Sequence, residues 1–196
     1  MGLVDALFCA GDAVYGYRFS NPVIDILRER GAYMVMGNHD YDFLQVHKER
    51  NGTNGYVSPE NMAFMTTLPR ILNITLDGKR ITMVHATPFP ADNAWYYYNE
   101  YIFKSSPKFK DLAKIDTDIL IMGHTHQAHV ERVGDVLVIN PGSCGESRDP
   151  NKPKLSYAIL DVETEDVQIC YVDESDQARG LMAYNDKFGG TDVSNG

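Results

Sequence analysis

The sequence predicts an α/β fold, and three observations carry that prediction. Short apolar runs alternate with amphipathic or polar stretches along the 196 residues. Three runs end in a glycine followed by ligand-competent side chains: 3–10 (LVDALFCA) into Gly11-Asp12, 33–36 (YMVM) into Gly37-Asn38-His39-Asp40, and 119–122 (ILIM) into Gly123-His124-Thr125-His126. In open α/β sheets ligands bind just beyond the carboxyl ends of strands, so three such endings point to one convergent site. A fourth strand, 81–84 (ITMV), ends at His85.

Between these strands the helices are readable. Ser20 or Asn21 caps a helix with Pro22 in its first turn, Val23, Ile26 and Leu27 on an inward face, and Gly31 at its end. Residues 52–58 read as a loop near the site entrance. The stretch 95–103 (WYYYNEYIF) has two readings: a lid or aromatic wall over the site or an oligomer contact, and a helix with Trp95, Tyr98 and Ile102 turned inward. A second helix follows Ser106-Pro107, with Phe109, Leu112 and Ala113 inward. Residues 136–139 lead into Asn140-Pro141-Gly142-Ser143, and 155–162 pairs with 167–172 as an antiparallel hairpin. One domain, 1–196, is expected, with a flexible tail from about residue 189.

Composition bounds the function. Hydrophobic residues make up 43% and charged residues 23%, far from the signature of disorder. With 18 Lys and Arg against 27 Asp and Glu, the net charge is −9 and non-specific nucleic-acid or acidic-membrane binding is disfavoured. Cys9, Cys144 and Cys170 form no C-x-x-C pair, so neither a disulfide framework nor a thiolate zinc site is suggested, and a cytoplasmic location is expected. No apolar run approaches a membrane span. Cys144, with no base tied to it by sequence, reads as a small residue in a tight loop. Arg18 reads as a surface arginine or a phosphate contact, and His47 and His129 as surface histidines.

Imidazole, carboxylate and amide oxygen together suit a borderline or hard divalent ion. Asp12, Asn38, His85 and His124 make one four-ligand set. His124 and His126, two apart, cannot share one face of a regular strand or helix, but in a tight turn both rings can face two ions side by side. Two such ions clamp the oxygens of a phosphoryl group and hold a deprotonated water for in-line displacement. Asp12 can bridge them, and His39 is placed to protonate the leaving oxygen with Asp40 orienting its ring.

Gly11-Asp12, Gly37-Asn38-His39-Asp40, His85 and Gly123-His124-Thr125-His126 resemble, in order and spacing, motifs two to five of the calcineurin-like metallophosphoesterase superfamily. GDAVYGYRFSNPVIDILRERG and INPGSCG resemble in particular its small prokaryotic phosphodiesterase branch. The resemblance implies an αββα four-layer sandwich with a dinuclear centre at the strand ends. It implies Asp12 as bridging ligand, Asn38, His85 and His124 as further ligands of one metal, and His126 as a ligand of the other. Manganese is the expected ion, with iron, zinc, nickel or magnesium as alternatives, and a small phosphorylated compound is the expected substrate. The family's opening D-x-H motif is not in the sequence, so the first β-α unit is expected to be missing, through shortening or natural variation, and the second metal to be held poorly. Two functions follow: metal-dependent hydrolysis of phosphodiesters or phosphomonoesters, and, alternatively, a catalytically impaired binding or scaffold module. A homo-oligomer is compatible with either.

Overall fold

The computed structural model describes residues 4–14, 20–47 and 57–172, in which strands and helices alternate through most of the chain. Arg18, residues 52–56 of the expected loop, the His47 side chain and the tail lie outside the described residues. In chain order the elements are β1 Phe8–Cys9, α1 Ser20–Glu29, β2 Tyr33–Met34, α2 Asn38–His47, α3 Pro59–Met65, β3 Ile71–Leu76, β4 Lys79–Val84 and α4 Ala94–Asn99. A 3-10 helix, Pro107–Lys114, follows, then β5 Ile119–Met122, β6 His129–Val133, β7 Val136–Asn140, β8 Ser156–Leu160 and β9 Val167–Tyr171. No helix among the described residues is long and apolar enough to cross a membrane.

The central sheet runs β3-β4-β5-β7-β6, with β4, β5 and β7 parallel and the outer pairs antiparallel. Its three inner strands are apolar on both faces, as expected of strands covered on two sides. One face gathers Val84, Leu120, Met122, Val136 and Val138 against Ile102, Phe109 and Leu112. The other gathers Ile81, Met83, Ile119, Ile121, Leu137 and Ile139 against Phe8, Ala10 and Val35 of the parallel β1-β2 pair and Ala158 and Leu160 of the β8-β9 hairpin. Behind β2, Met34 and Met36 pack with Ile24, Phe43, Leu44 and Met65 of the first three helices. Helical segment, sheet, sheet, helices: the α/β class and its layering agree with the sequence.

Several details differ. α1 turns Ile24 inward and leaves Val23 and Ile26 largely exposed at 39% and 47%, because the apolar stripe is set one residue on from the expected face. Gly31, at φ +60°, closes α1: its N–H bonds to the Arg28 carbonyl and that of Ala32 to the Leu27 carbonyl, which occupies the orphan carbonyls of the last turn. The segment after Pro107 is 3-10 rather than α, buries Phe109 and Leu112, and leaves Ala113 exposed. The ribbons 3–10 and 33–36 pair over only two residues each. β3 was not expected, although Asp77-Gly78, both at positive φ, is the two-residue turn that joins it to β4.

Candidate metal centre

Two of the three strand-end glycines, Gly11 and Gly37, are required by a close approach. A Cβ on Gly37 would stand 2.1 Å from Asp12 Oδ1 and 2.4 Å from Asp12 N. One on Gly11 would stand 2.7 Å from both Gly37 N and His85 Nδ1. The loops after β1 and β2 therefore touch backbone to backbone and the His85 side chain packs against them, which brings Asp12, Asn38 and His85 into one place.

Asn38 Oδ1 lies at the centre of the set, 2.9 Å from His85 Nε2 and 3.0 Å from His124 Nδ1. Asp12 Oδ2 stands 3.3 Å from the same His85 Nε2, while Asp12 Oδ1 accepts the His39 backbone N–H at 2.9 Å. His85 Nδ1 is 2.6 Å from the Ala10 carbonyl, a contact that needs the proton on Nδ1. A neutral His85 then aims the Nε2 lone pair at two oxygens. Three acceptors facing one another is poor hydrogen bonding and a good donor set for a cation. Asp12 Oδ2 and His124 Nε2 are also buried with no hydrogen-bond partner. Among the described residues no three His, Cys, Asp or Glu side chains form a ligand cluster by themselves; the Asn38 amide oxygen joins His85 to His124. The residues present fit a divalent ion.

Burial would lower His85, but the hydrogen bond and charge of Asp12 outweigh it and raise the ring, so its neutral form is the one a bound cation would impose. Burial, then the neighbouring His85, pushes His124 down to about 4, which keeps the ring neutral and ligand-competent. Burial and the Arg148 charge lower His126 as well. Burial would raise Asp12, but His85 and His39 outweigh it and hold the carboxylate below its ordinary range. Cys9 is pushed up to about 12 by burial, an inert thiol beside the site.

His124 and His126 both sit at positive φ, +64° and +56°. This left-handed geometry lets residues two apart turn to one region, at a backbone cost of roughly 1–3 kcal/mol each. Asn140, 1% exposed at the end of β7, braces the turn: its Nδ2 donates to the Gly123 carbonyl at 2.7 Å and to Thr125 Oγ1 at 3.0 Å, and its Oδ1 accepts from Gly142 N at 3.0 Å. Its place at the start of INPGSCG, directly after an apolar strand, was the signal available for it.

Asp40 differs most from expectation. Instead of the His39 ring, its fully buried carboxylate takes backbone N–H groups of Asp12, Gly37 and Val14 at 2.8, 2.9 and 2.9 Å, which fastens the Asp12 loop to the start of α2. His129 is half-buried on β6 against Phe109 rather than at the surface. Cys144 donates its S–H to the Ser156 carbonyl at 3.3 Å. In 95–103 each reading keeps a part: Tyr98 and Ile102 are buried, Trp95 and Tyr96 are exposed, and the Tyr101 ring lies 4.0 Å from that of His124. A cavity of about 470 Å³ adjoins the turn, lined by Thr125, Gln127, His129, Phe103, Lys104 and Asp149 among others, and includes none of the expected ligands.

Comparison with known proteins points the same way. The sequence pattern described as the calcineurin-like phosphoesterase superfamily domain matches residues 1–165. An uncharacterized protein of Methanocaldococcus jannaschii is 29% identical over 196 residues, covering 87% of this chain and 76% of the relative. A phosphodiesterase of the same organism is 63% identical over 27 residues, 14% of this chain and 16% of the relative. The crystal structure of a metallophosphoesterase from Sphaerobacter thermophilus has the same fold, with a TM-score of 0.67, 24% identity, and 93% of this chain and 84% of that one covered.

Proposed function

The chain belongs to the calcineurin-like phosphoesterase superfamily, and from that premise we propose that it hydrolyses phosphoesters, diesters in preference to monoesters, at a divalent-metal centre. Asp12, Asn38, His85 and His124 would hold a divalent ion there, and His126 would contribute to a second, with the Asp12 carboxylate available to either. The supporting observation is the convergence of His85 Nε2 and His124 Nδ1 on the amide oxygen of Asn38, beside the buried Asp12 carboxylate. Manganese, or iron, zinc, nickel or magnesium in its place, supplies when bound a polarised phosphoryl oxygen and a water acidic enough to act as nucleophile.

The chain's own residues do the remaining work. Neutral Asn38, His85 and His124 leave the centre net positive for an anionic substrate. The N-terminus of α2, where Asn38 and His39 stand, adds the favourable end of a helix dipole. As the water oxygen bonds to phosphorus and the bond to the leaving oxygen breaks, His39 gives that oxygen a proton. The His39 backbone N–H on Asp12 Oδ1 holds that residue's main chain beside the proposed ligands. Asp40 acts as a positioning residue that ties the Asp12 loop to the start of α2. Two variants test these roles. His39→Ala is expected to lose about 10²- to 10⁴-fold in turnover with metal content unchanged, and His85→Ala to lose the metal itself. Metal lost from His39→Ala, or retained by His85→Ala, contradicts the assignment.

A further inference from the structure

One cation is fastened to the turn that carries His124 and His126 from two sides. The Arg148 backbone N–H donates to the His126 carbonyl at 3.2 Å. Its guanidinium donates through Nη1 to the Tyr101 hydroxyl at 3.3 Å, and the Tyr101 ring lies against His124. Nε and Nη2 both reach a single Glu146 oxygen, at 3.1 and 3.0 Å, and that oxygen stands 3.5 Å from His126 Nδ1. The Arg148 side chain is 41% exposed, so the fork stands at the rim of the centre with one face open to solvent.

An exposed Arg–carboxylate pair contributes only about 0–1 kcal/mol, too little to explain a guanidinium also aimed by a tyrosine hydroxyl and anchored by its own backbone. A planar fork with five N–H donors matches two oxygens of a phosphoryl group, and two of those donors rest here on one carboxylate oxygen. In a chain of net charge −9, with the Asp12 carboxylate inside the centre, an approaching phosphate gains from a cation in addition to the metal. We propose that Arg148, aimed by Tyr101 and resting on Glu146 until substrate arrives, is the phosphate anchor of this site: it binds a phosphoryl oxygen of the substrate and so selects phosphorylated compounds. This rests on the phosphoesterase reading.

Calorimetric titration of the manganese-loaded chain with inorganic phosphate tests it, with KM measured in parallel on a chromogenic phosphodiester. Arg148→Gln is expected to bind phosphate about 10- to 100-fold more weakly, with Arg148→Lys between it and wild type and manganese content unchanged in both. Tyr101→Phe, which keeps the ring and loses the hydroxyl, is expected to weaken binding by roughly 2- to 5-fold. If Arg148→Gln lowers Tm but leaves the phosphate Kd at the wild-type value, the arginine only braces the loop and the proposal fails. It fails equally if wild type binds no phosphate. Phosphate binding through Arg148 in a chain that hydrolyses nothing would instead contradict the hydrolase reading. Hydrolysis with KM unchanged in Arg148→Gln would contradict this proposal alone.

Discussion

Removing the Asn140 amide, by Asn140→Ala, unties the turn that presents His124 and His126. Two donated bonds and one accepted bond are lost at a side chain only 1% exposed, and the buried Gly123 carbonyl and Thr125 Oγ1 and the half-buried Gly142 N–H lose their partner. At about 1 kcal/mol or slightly more for each, the cost is ~3–4 kcal/mol. For a chain of this size that corresponds to a fall in Tm of roughly 6–15 °C. The left-handed backbone at His124 and His126 then has no brace, so manganese affinity is expected to fall about 10- to 100-fold, as when the support behind a ligand is removed. Asn140→Asp keeps the shape but sets a carboxylate oxygen against the Gly123 carbonyl, acceptor against acceptor, while the Thr125 hydroxyl can turn to donate, and is expected to lower both stability and manganese affinity as well. Thermal unfolding and manganese titration read the two effects separately. An alanine variant within ~1 kcal/mol of wild type, with unchanged manganese affinity, would refute the reasoning.

Three further outcomes follow from the same geometry. Gly37→Ala places a methyl group 2.1 Å from Asp12 Oδ1 and is expected to cost about 3 kcal/mol and abolish metal binding, seen by unfolding and elemental analysis; a folded, metal-loaded variant would contradict the close approach. Asp40→Asn replaces a carboxylate that accepts three backbone N–H groups and is expected to lower Tm and metal affinity together, whereas a variant that changed only the pH profile of turnover would restore Asp40 as a partner of the His39 ring. Hydrogen bonds from Arg80 hold Asp118 down to about 2, below its ordinary 3.8. Because the folded value is depressed, the stabilisation relative to Asp118→Asn is present above pH 3.8, declines as pH falls through 2, and shrinks with added salt. A Tm difference between wild type and Asp118→Asn that stays constant from pH 5 to 2 would rule out that origin.

The strand ends were legible in the sequence because their local residue choice records a long-range contact. Gly11 and Gly37 are needed where two loops cross, and a polar ligand residue after an apolar strand can be seen in a window of a few positions. The two-residue overlap of β1 and β2 and the stripe of α1 were misjudged because pairing length and helix phase depend on neighbours far along the chain. Asp40 shows the limit most plainly. Beside His39 it reads as the partner of that ring, but its acceptors are spent on amides 28 and 26 positions away as well as on nearby Gly37. Asn140 and Tyr101 escaped for the same reason: one braces a turn 15 to 17 positions upstream, and the other lies against a histidine brought over by the sheet. The Asp77-Gly78 hairpin was readable from its dipeptide alone.

The cluster around Asn38 Oδ1 is proposed here as a catalytic metal centre for phosphoester hydrolysis. That proposal is tested by hydrolysis of a chromogenic phosphodiester by this chain, with manganese added, then removed by chelator, then restored. Turnover is expected to appear with manganese, disappear with chelator, return on re-addition and be nearly abolished in His39→Ala. A folded, manganese-loaded chain with no turnover above that of His39→Ala would contradict it.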